Sequence, residues 1–255
     1  MRFLSYFMLL CFSSCCASSE VGTTYHVGVE NVAYYPIQDF SATPGTGILQ
    51  DIVSAFAEET HIKVEFIPLP ITRFATWYQE RAIDFRIPDH PTWDDAKALA
   101  LTYSDPVVTL CEATIVLAEH ADKPVDFFNI IGMMHGFTAS ERWKTRIAEE
   151  RLTIVTDTSL KVLTQMLLHN MVQGLDVDIS TIRHELELMN LPPDTVTLAK
   201  KIPVSTLSYR MSTIEHPELL AKFDTYLKTH KEQNRELARS YGYYNGRKCS
   251  DIIPD

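Results

Sequence analysis

The sequence predicts an α/β protein, in which strands of mostly parallel sheets alternate with amphipathic helices. Between residues 24 and 87, short runs rich in β-branched and aromatic residues recur, as is typical of strands. The segments between these runs carry apolar residues at helical spacing, for example Ile48, Ile52 and Phe56. Turns that contain Gly and Pro separate the two kinds of segment. These three observations together give the fold class.

The first part of the chain is predicted to form one compact β-α-β-α-β unit. Its strands are short, and a turn cluster at Thr43-Pro44-Gly45-Thr46-Gly47 precedes its first helix. The predicted strands cover residues 24–30, 63–68 and 83–87, and the predicted helices cover 48–60 and 71–80.

The rest of the chain opens with a long β-branched run and ends in a long helical tract. Pro217 stands near the first turn of that tract, where proline is well tolerated. We expect strands at 107–117, 130–134 and 152–155, helices at 140–147 and 159–173, extended chain at 196–211, and helix over 216–241.

The N-terminus has the pattern of an export signal. Arg2 precedes an apolar run over residues 3–12, and small residues follow at 13–17. The run is shorter than the ~20 residues that span a bilayer. Cleavage after Ala17 would release a soluble periplasmic protein, whereas lipidation at Cys15, in the box-like Phe12-Ser13-Ser14-Cys15, would anchor it. Both modes predict a periplasmic product.

The charge balance argues against a nucleic-acid or anionic-lipid partner. The chain carries 23 Lys and Arg against 33 Asp and Glu, a net charge of −10. Such a surface repels polyanions. We therefore expect no nucleic-acid partner, and we expect a monomer.

Cysteine usage leaves one candidate pair. Three of the five cysteines lie within residues 1–17, so Cys111 and Cys249 remain in the exported chain. An oxidising compartment allows these two to form a disulfide. The alternative is a buried Cys111 and an unpaired Cys249 near the C-terminus.

Motifs of the common enzyme classes do not occur. There is no G-x-S-x-G, no H-E-x-x-H, no G-x-G-x-x-G and no P-loop. The nine histidines are scattered without the spacing of metal ligands. We expect no catalytic residues, no metal and no cofactor.

Several short segments, taken in order, resemble a known family. The residues are Tyr35-Pro36-Ile37, the Gly-x-x-x-Asp step that begins at Gly47, Asp84, Tyr103-Ser104-Asp105-Pro106-Val107, and the closing helices over 219–242. Together they resemble the family 3 solute-binding proteins, the amino-acid-type receptors of bacterial uptake systems. The resemblance is low in identity but runs along nearly the whole exported chain.

The resemblance implies the two-lobed type II periplasmic binding protein fold with two hinge strands. The first lobe would comprise residues 22–108 plus 206–255, and the second lobe 109–205. A small polar molecule, amino-acid-like or another small organic ion, would bind between the lobes for ABC-type transport. The implied partner is an inner-membrane ABC permease or a sensor. The alternatives are a ligand-sensing module and, on the same fold, a cyclohexadienyl-type dehydratase.

The chain also departs from the family pattern. Arg81 replaces the glycine of the first Gly-x-x-Asp step, and the second step reads Gly174-x-Asp176-x-Asp178. The family places an arginine after a threonine to hold the ligand carboxylate. Here no arginine follows Thr92, and Lys97 is the nearest cation. The resemblance therefore does not carry a standard α-amino acid over to this chain.

In the first lobe, five residues are candidates for ligand contact. Tyr34, Tyr35 and Trp93 could stack on a flat or apolar part of a ligand, or could simply pack in the fold. Asp89 could accept from a ligand ammonium or form a turn. Arg73 could hold an anionic group or stay solvated.

In the second lobe, the candidates lie in two loops. Thr138 and Ser140 stand between a strand and a helix, where the family binds carboxylate and where both would also suit helix N-caps. Asp157 lies in a second such loop, at a position where the family often contacts ligand.

Overall fold

The computed structural model describes residues 23–93 and 99–243. The export signal, Lys97 and Cys249 lie outside the described residues, so the predictions made for them stay predictions. Within the described residues the chain is a mixed α/β fold of two lobes, which confirms the predicted fold class.

Helices pack against one continuous sheet and against a separate two-stranded hairpin. The strands are β1 (Thr24–Glu30), β2 (Ala33–Tyr34), β3 (Gln38–Asp39), β4 (Lys63–Leu69), β5 (Phe85–Asp89), β6 (Thr102–Tyr103), β7 (Val108–Leu117), β8 (Ile130–Met134), β9 (Thr153–Asp157), β10 (Gly174–Val177), β11 (Val196–Leu198) and β12 (Ser205–Thr213). The helices are α1 (Ile48–Glu59), α2 (Phe74–Trp77), α3 (Glu141–Ala148), α4 (Leu160–Leu168), α5 (Ile179–Leu188), α6 (Pro217–Thr229) and α7 (Lys231–Ser240).

The order of strands divides the sheet into two parallel parts. Strand order is β4-β1-β5-β12-β7-β10-β8-β9, with β11 paired to β7 and β6 to β12. β1 pairs in parallel with β4 and β5, and β8 pairs in parallel with β9 and β10. We call β1–β5 with α1, α2, α6 and α7 the first lobe, and β8–β11 with α3–α5 the second lobe. β7 and β12 run antiparallel to each other and join the two lobes.

Apolar helix faces supply the core of each lobe. In the first lobe, Phe56 of α1 packs on Phe223 of α6 with ring centroids 5.0 Å apart. Gly47, at the start of α1, has φ of +119°, and a Cβ there would lie 2.8 Å from the Cα of Gln38. In the second lobe, the fully buried Trp143 of α3 packs on Phe128. These contacts pack helices onto the core of each lobe.

The helix expected over 71–80 is wrong in length. Residues Ile71–Arg73 form a 3₁₀ turn, and α2 covers only Phe74–Trp77. The hydroxyl of Thr76 donates to the carbonyl of Arg73, a back-bond that competes with regular helix. The buried Trp77 anchors the segment at its end.

Two other segments are interrupted where the sequence predicts continuous elements. The tract at 216–241 breaks into α6 and α7 at His230, whose ring stacks on Tyr226 with centroids 4.3 Å apart. The extended segment at 196–211 divides into β11 and β12, because residues 199–204 leave the sheet. Helix α5, which follows Asp178, is not predicted from the sequence at all.

Candidate functional site

A cavity of about 480 Å³ lies between the two lobes. Strand ends, loops and the joining strands all contribute to its wall. We call it the cleft cavity, and the residues that line it are Glu30, Tyr34, Ile71, His90, Thr92, Trp93, Leu110, Cys111, Glu112, Gly136, Phe137, Thr138, Ala139, Ser140, Glu141, Lys144, Asp176, Val177, Asp178, Ser205, Thr206, Leu207 and Tyr209.

Glu30 lies at the carboxyl end of β1, on the first-lobe side of the cleft cavity. It is only 2 % exposed, and its Oε2 accepts a 2.5 Å hydrogen bond from the side-chain amide of Gln38. Burial raises the pKa of Glu30 to about 8, although the nearby Arg86 opposes the shift. The carboxyl group therefore keeps its proton at neutral pH.

Several carboxyl groups converge on Tyr209 of β12. Burial raises the pKa of its hydroxyl well above the ordinary value, and the charges of Glu30, Asp178 and Glu112 add to the effect. Glu112 lies on β7, where its Oε2 accepts a hydrogen bond from the Ser205 hydroxyl at 2.9 Å. Burial raises the pKa of Glu112 as well. The floor of the cavity is thus rich in carboxyl groups whose charged forms are disfavoured by burial.

Asp176 of β10 binds the start of α3. Its two oxygens accept from the backbone N–H of Ser140 at 2.9 Å and from the Ser140 hydroxyl at 2.8 Å. The guanidinium of Arg142 lies 3.6 Å from Asp176. Ser140 is the N-cap residue of α3, but its hydroxyl serves Asp176 and does not cap the helix. The hydrogen-bond donors of Ser140 at the start of α3 are therefore taken by the side chain of Asp176.

Tyr34 connects the two lobes. Its hydroxyl accepts the backbone N–H of Asp178 at 2.8 Å, and its ring packs edge-on against Phe137 with centroids 5.2 Å apart. Asp178 is the N-cap of α5, and its Oδ1 accepts the backbone N–H of Ser180 at 2.8 Å. Tyr34 is buried, so its contacts with the second lobe are shielded from water.

Trp93 and its neighbours form the rim of the cavity in the first lobe. The indole packs edge-on against Tyr209 at 5.9 Å, and the guanidinium of Arg86 lies 5.7 Å from the indole centroid. Arg86 and Asp89 form a fully buried ion pair at 2.9 Å. The alternation of β5 suggests that Arg86 faces solvent; this is wrong, because both faces of the strand are covered.

The structure brings part of the predicted site together. Tyr34, Trp93, Thr138 and Ser140 line the cleft cavity. The lining does not include the other four candidates, which are Tyr35, Arg73, Asp89 and Asp157.

Each of those four has other surroundings. The carboxylate of Asp89 also accepts from the backbone N–H of His90 and from the hydroxyl of Ser212, which places it in the core. Arg73 is exposed and pairs with Glu80 at 2.5 Å. Asp157 accepts the backbone N–H of Ser159, the residue that caps α4. These surroundings favour structural roles, and ligand contact by these residues stays a prediction.

Tyr35 lines a second pocket, of about 550 Å³, on the far side of the Tyr34–Asp178 contact. There its ring packs in a tilted arrangement against His184, with centroids 4.3 Å apart, and edge-on against Tyr241 at 5.7 Å. Cys111 lines both pockets and is disulfide-bonded. Because Cys249 is not among the described residues, the pairing of these two cysteines stays a prediction.

Sequence reasoning missed the acidic residues of the cavity. Glu30 ends the first strand, and Glu112 lies within a β-branched run, so neither position stands out. Asp176 and Asp178 belong to the second glycine-aspartate step, which marks them as conspicuous but does not assign them a role. Only the packing of distant strands shows that all four reach one cavity.

Among residues 23–93 and 99–243, no group of three or more His, Cys, Asp or Glu side chains could hold a metal ion. Within the same residues, no helix is long and apolar enough to cross a bilayer.

No protein-family model and no curated protein matches this sequence. Solved structures do match the fold. The substrate-binding protein of an amino-acid ABC transporter superposes with a TM-score of 0.67 at 14 % identity, covering 86 % of this chain and 99 % of that one. A periplasmic binding protein of an arginine transport system from Legionella pneumophila gives 0.66 at 15 % identity, with coverages of 86 % and 99 %.

A third match is an ancestral amino-acid-binding protein described as a precursor of cyclohexadienyl dehydratase. It superposes with a TM-score of 0.65 at 20 % identity and covers 86 % of this chain and 95 % of its own. These superpositions establish that the chain shares the two-lobed fold of these proteins. At identities this low, they establish the fold alone.

Proposed function

We propose that this chain is an exported solute-binding protein, which captures a small polar molecule between its lobes and delivers it to an ABC-type importer. The observation that carries the proposal is the cleft cavity, whose wall comes from both lobes and from both joining strands. Its volume of about 480 Å³ suits a small molecule. Charged groups and the rings of Tyr34, Trp93 and Tyr209 offer polar and stacking contacts.

The fold supports this proposal, because the matched structures include binding proteins of amino-acid transporters. We further propose membership of solute-binding family 3, a periplasmic location, and lobe boundaries at 22–108 plus 206–255 and at 109–205. In this proposal the chain binds its ligand without changing it chemically.

A thermal-shift screen tests the proposal. The purified protein is refolded to strip bound ligand and mixed with amino acids, polyamines, small carboxylates, sugars and peptides. A ligand at 100 times its Kd adds about 2.7 kcal/mol, which raises Tm by several degrees. A hit that titrates at one site and is recovered unchanged supports a binding protein. If no compound raises Tm, the proposed role is contradicted.

A dehydratase is the second candidate. Glu30 favours it, because a carboxyl group with a pKa of about 8 keeps a proton near neutral pH, as a general acid must. One matched structure is also described as a dehydratase precursor. Incubation with cyclohexadienyl acids, followed by detection of aromatic product, separates this activity from binding.

A further inference from the structure

Among the residues that line the cleft cavity, carboxyl groups far outnumber lysine and arginine side chains. Five of these residues carry carboxyl groups, and one is a lysine. The lysine, Lys144, already forms an ion pair with one of the five, Glu141, at 2.8 Å. The other four carboxyl groups belong to Glu30, Glu112, Asp176 and Asp178. A ligand that enters this cavity therefore meets more carboxyl groups than basic side chains.

Most of the donors that could hold a ligand carboxylate at the start of α3 are already engaged by the protein itself. The backbone N–H and hydroxyl of Ser140, at the start of α3, both donate to Asp176. Nη2 of Arg142 donates to the carbonyl of Glu112 at 2.6 Å and to the hydroxyl of Ser205 at 2.7 Å. Nη1 has no hydrogen-bond partner among the described residues, but it lies 3.6 Å from the carboxyl group of Asp176. A ligand carboxylate in this corner would be placed against the carboxylate of Asp176.

Glu30 can accept a further hydrogen bond from a molecule in the same cavity. Its Oε2 accepts from Gln38, whereas no described residue donates a hydrogen bond to its Oε1. Although it is 2 % exposed, it lines the cavity wall. Glu112 approaches Tyr209 from β7, so carboxyl groups reach the cavity floor from the first lobe and from a joining strand. A ligand with a cationic group at each end matches this arrangement.

We propose that the cleft cavity selects a small aliphatic cation that carries no carboxylate, such as a linear diamine or a guanidino-amine. This inference rests on the proposed solute-binding function and adds the chemical class of the solute. Such a cation neutralises desolvated carboxyl groups, whose charged forms an opposite charge within ~4–6 Å favours. The α-carboxylate of a basic amino acid would instead be repelled by Asp176.

Matched pairs of ligands isolate the carboxylate. Cadaverine and lysine differ by this one group, and so do agmatine and arginine. Isothermal titration of the refolded protein with all four should give at least ~10-fold tighter binding of each amine than of its amino acid. If lysine or arginine binds as tightly as its amine, the inference is overturned and the solute-binding function stands. If none of the four binds, the inference is overturned, and hits elsewhere in the broader screen decide whether the proposed function survives.

Two variants connect the selectivity to named residues. Glu30→Gln should weaken cadaverine binding at least ~10-fold, whereas Glu58→Gln, on the exposed face of α1, should leave it unchanged. Asp176→Asn should narrow the preference for cadaverine over lysine, because it removes the charge that opposes the carboxylate. Circular dichroism and Tm confirm that each variant is folded. Full cadaverine affinity in folded Glu30→Gln would contradict the inference.

Discussion

Replacing Glu30 with Gln should remove much of the pH dependence of stability between pH 5 and pH 8. Burial raises the pKa of Glu30 from 4.5 in a model compound to about 8 in the folded protein. Between these values the folded state binds a proton that the unfolded state has released. Stability therefore falls as pH rises, by up to about 1.4 kcal/mol per pH unit. Above the folded pKa the loss is complete.

Over the three units from pH 5 to pH 8, the contribution of Glu30 reaches about 4 kcal/mol at most. The groups that act on its charge are Arg86 and Asp89, with the hydrogen bond from Gln38, and Tyr209 lies nearby. The Gln variant keeps the shape of the side chain. It can also donate to the side-chain carbonyl of Gln38, which lacks a hydrogen-bond partner among the described residues.

Urea denaturation of the ligand-free protein, followed by tryptophan fluorescence at pH 5, 6, 7 and 8, measures the effect. The wild type should lose stability relative to Glu30→Gln as the pH rises. Glu58→Gln, an exposed carboxyl on α1, should track the wild type at every pH. A difference between wild type and Glu30→Gln that stays constant across the four pH values would refute the reasoning, because Glu30 would then be charged in the folded protein at pH 5.

Two other variants test the contacts between the lobes. Tyr34→Phe leaves the backbone N–H of Asp178 without its acceptor, so it should lower the free energy of unfolding by about 1–3 kcal/mol in urea titrations. An unchanged free energy of unfolding would show that water replaces the hydroxyl. Gly136→Ala should weaken ligand binding, because φ is +88° and the new Cβ would lie 2.9 Å from the side chain of Ile71. Combining it with Ile71→Ala should recover part of the affinity in titration calorimetry, and no recovery would place the whole effect in the backbone.

Local sequence signals account for most of the elements, and four of the eight predicted ligand-contact residues line the cleft cavity. Strand alternation and helical spacing depend on neighbouring residues, so β1, α1 and β4 follow from the sequence alone. Tyr34 and Trp93 are large aromatic residues beside predicted strand ends, and Thr138 and Ser140 stand in a strand-to-helix loop. Such positions reach a cleft in any layered α/β fold, because loops at strand ends face it.

The acidic character of the cavity could not be predicted in the same way. Glu30 is an ordinary strand-end glutamate until the fold buries it beside Gln38 and beside Tyr209, which is remote in sequence. The burial of Arg86 could not be predicted from the sequence either. Alternation along a strand predicts one exposed face, yet β5 is covered on both faces, and Asp89 balances the buried guanidinium. Burial of a charge depends on contacts between distant segments, which no local pattern contains.

The position of the acidic residues suggests how ligand charge and lobe closure are coupled. Glu30 belongs to the first lobe and Asp178 to the second, and the charges of both act on Tyr209. Above the folded pKa of Glu30, its carboxylate and that of Asp178 are like charges that approach from two lobes, and their repulsion opposes closure. A cation between them replaces this repulsion with attraction in both directions. A ligand shifts a conformational equilibrium only by its differential affinity for the two states, here the open and the closed arrangement of the lobes. The charge of a cationic solute would therefore favour the closed arrangement, in which the Tyr34 hydroxyl accepts the backbone N–H of Asp178.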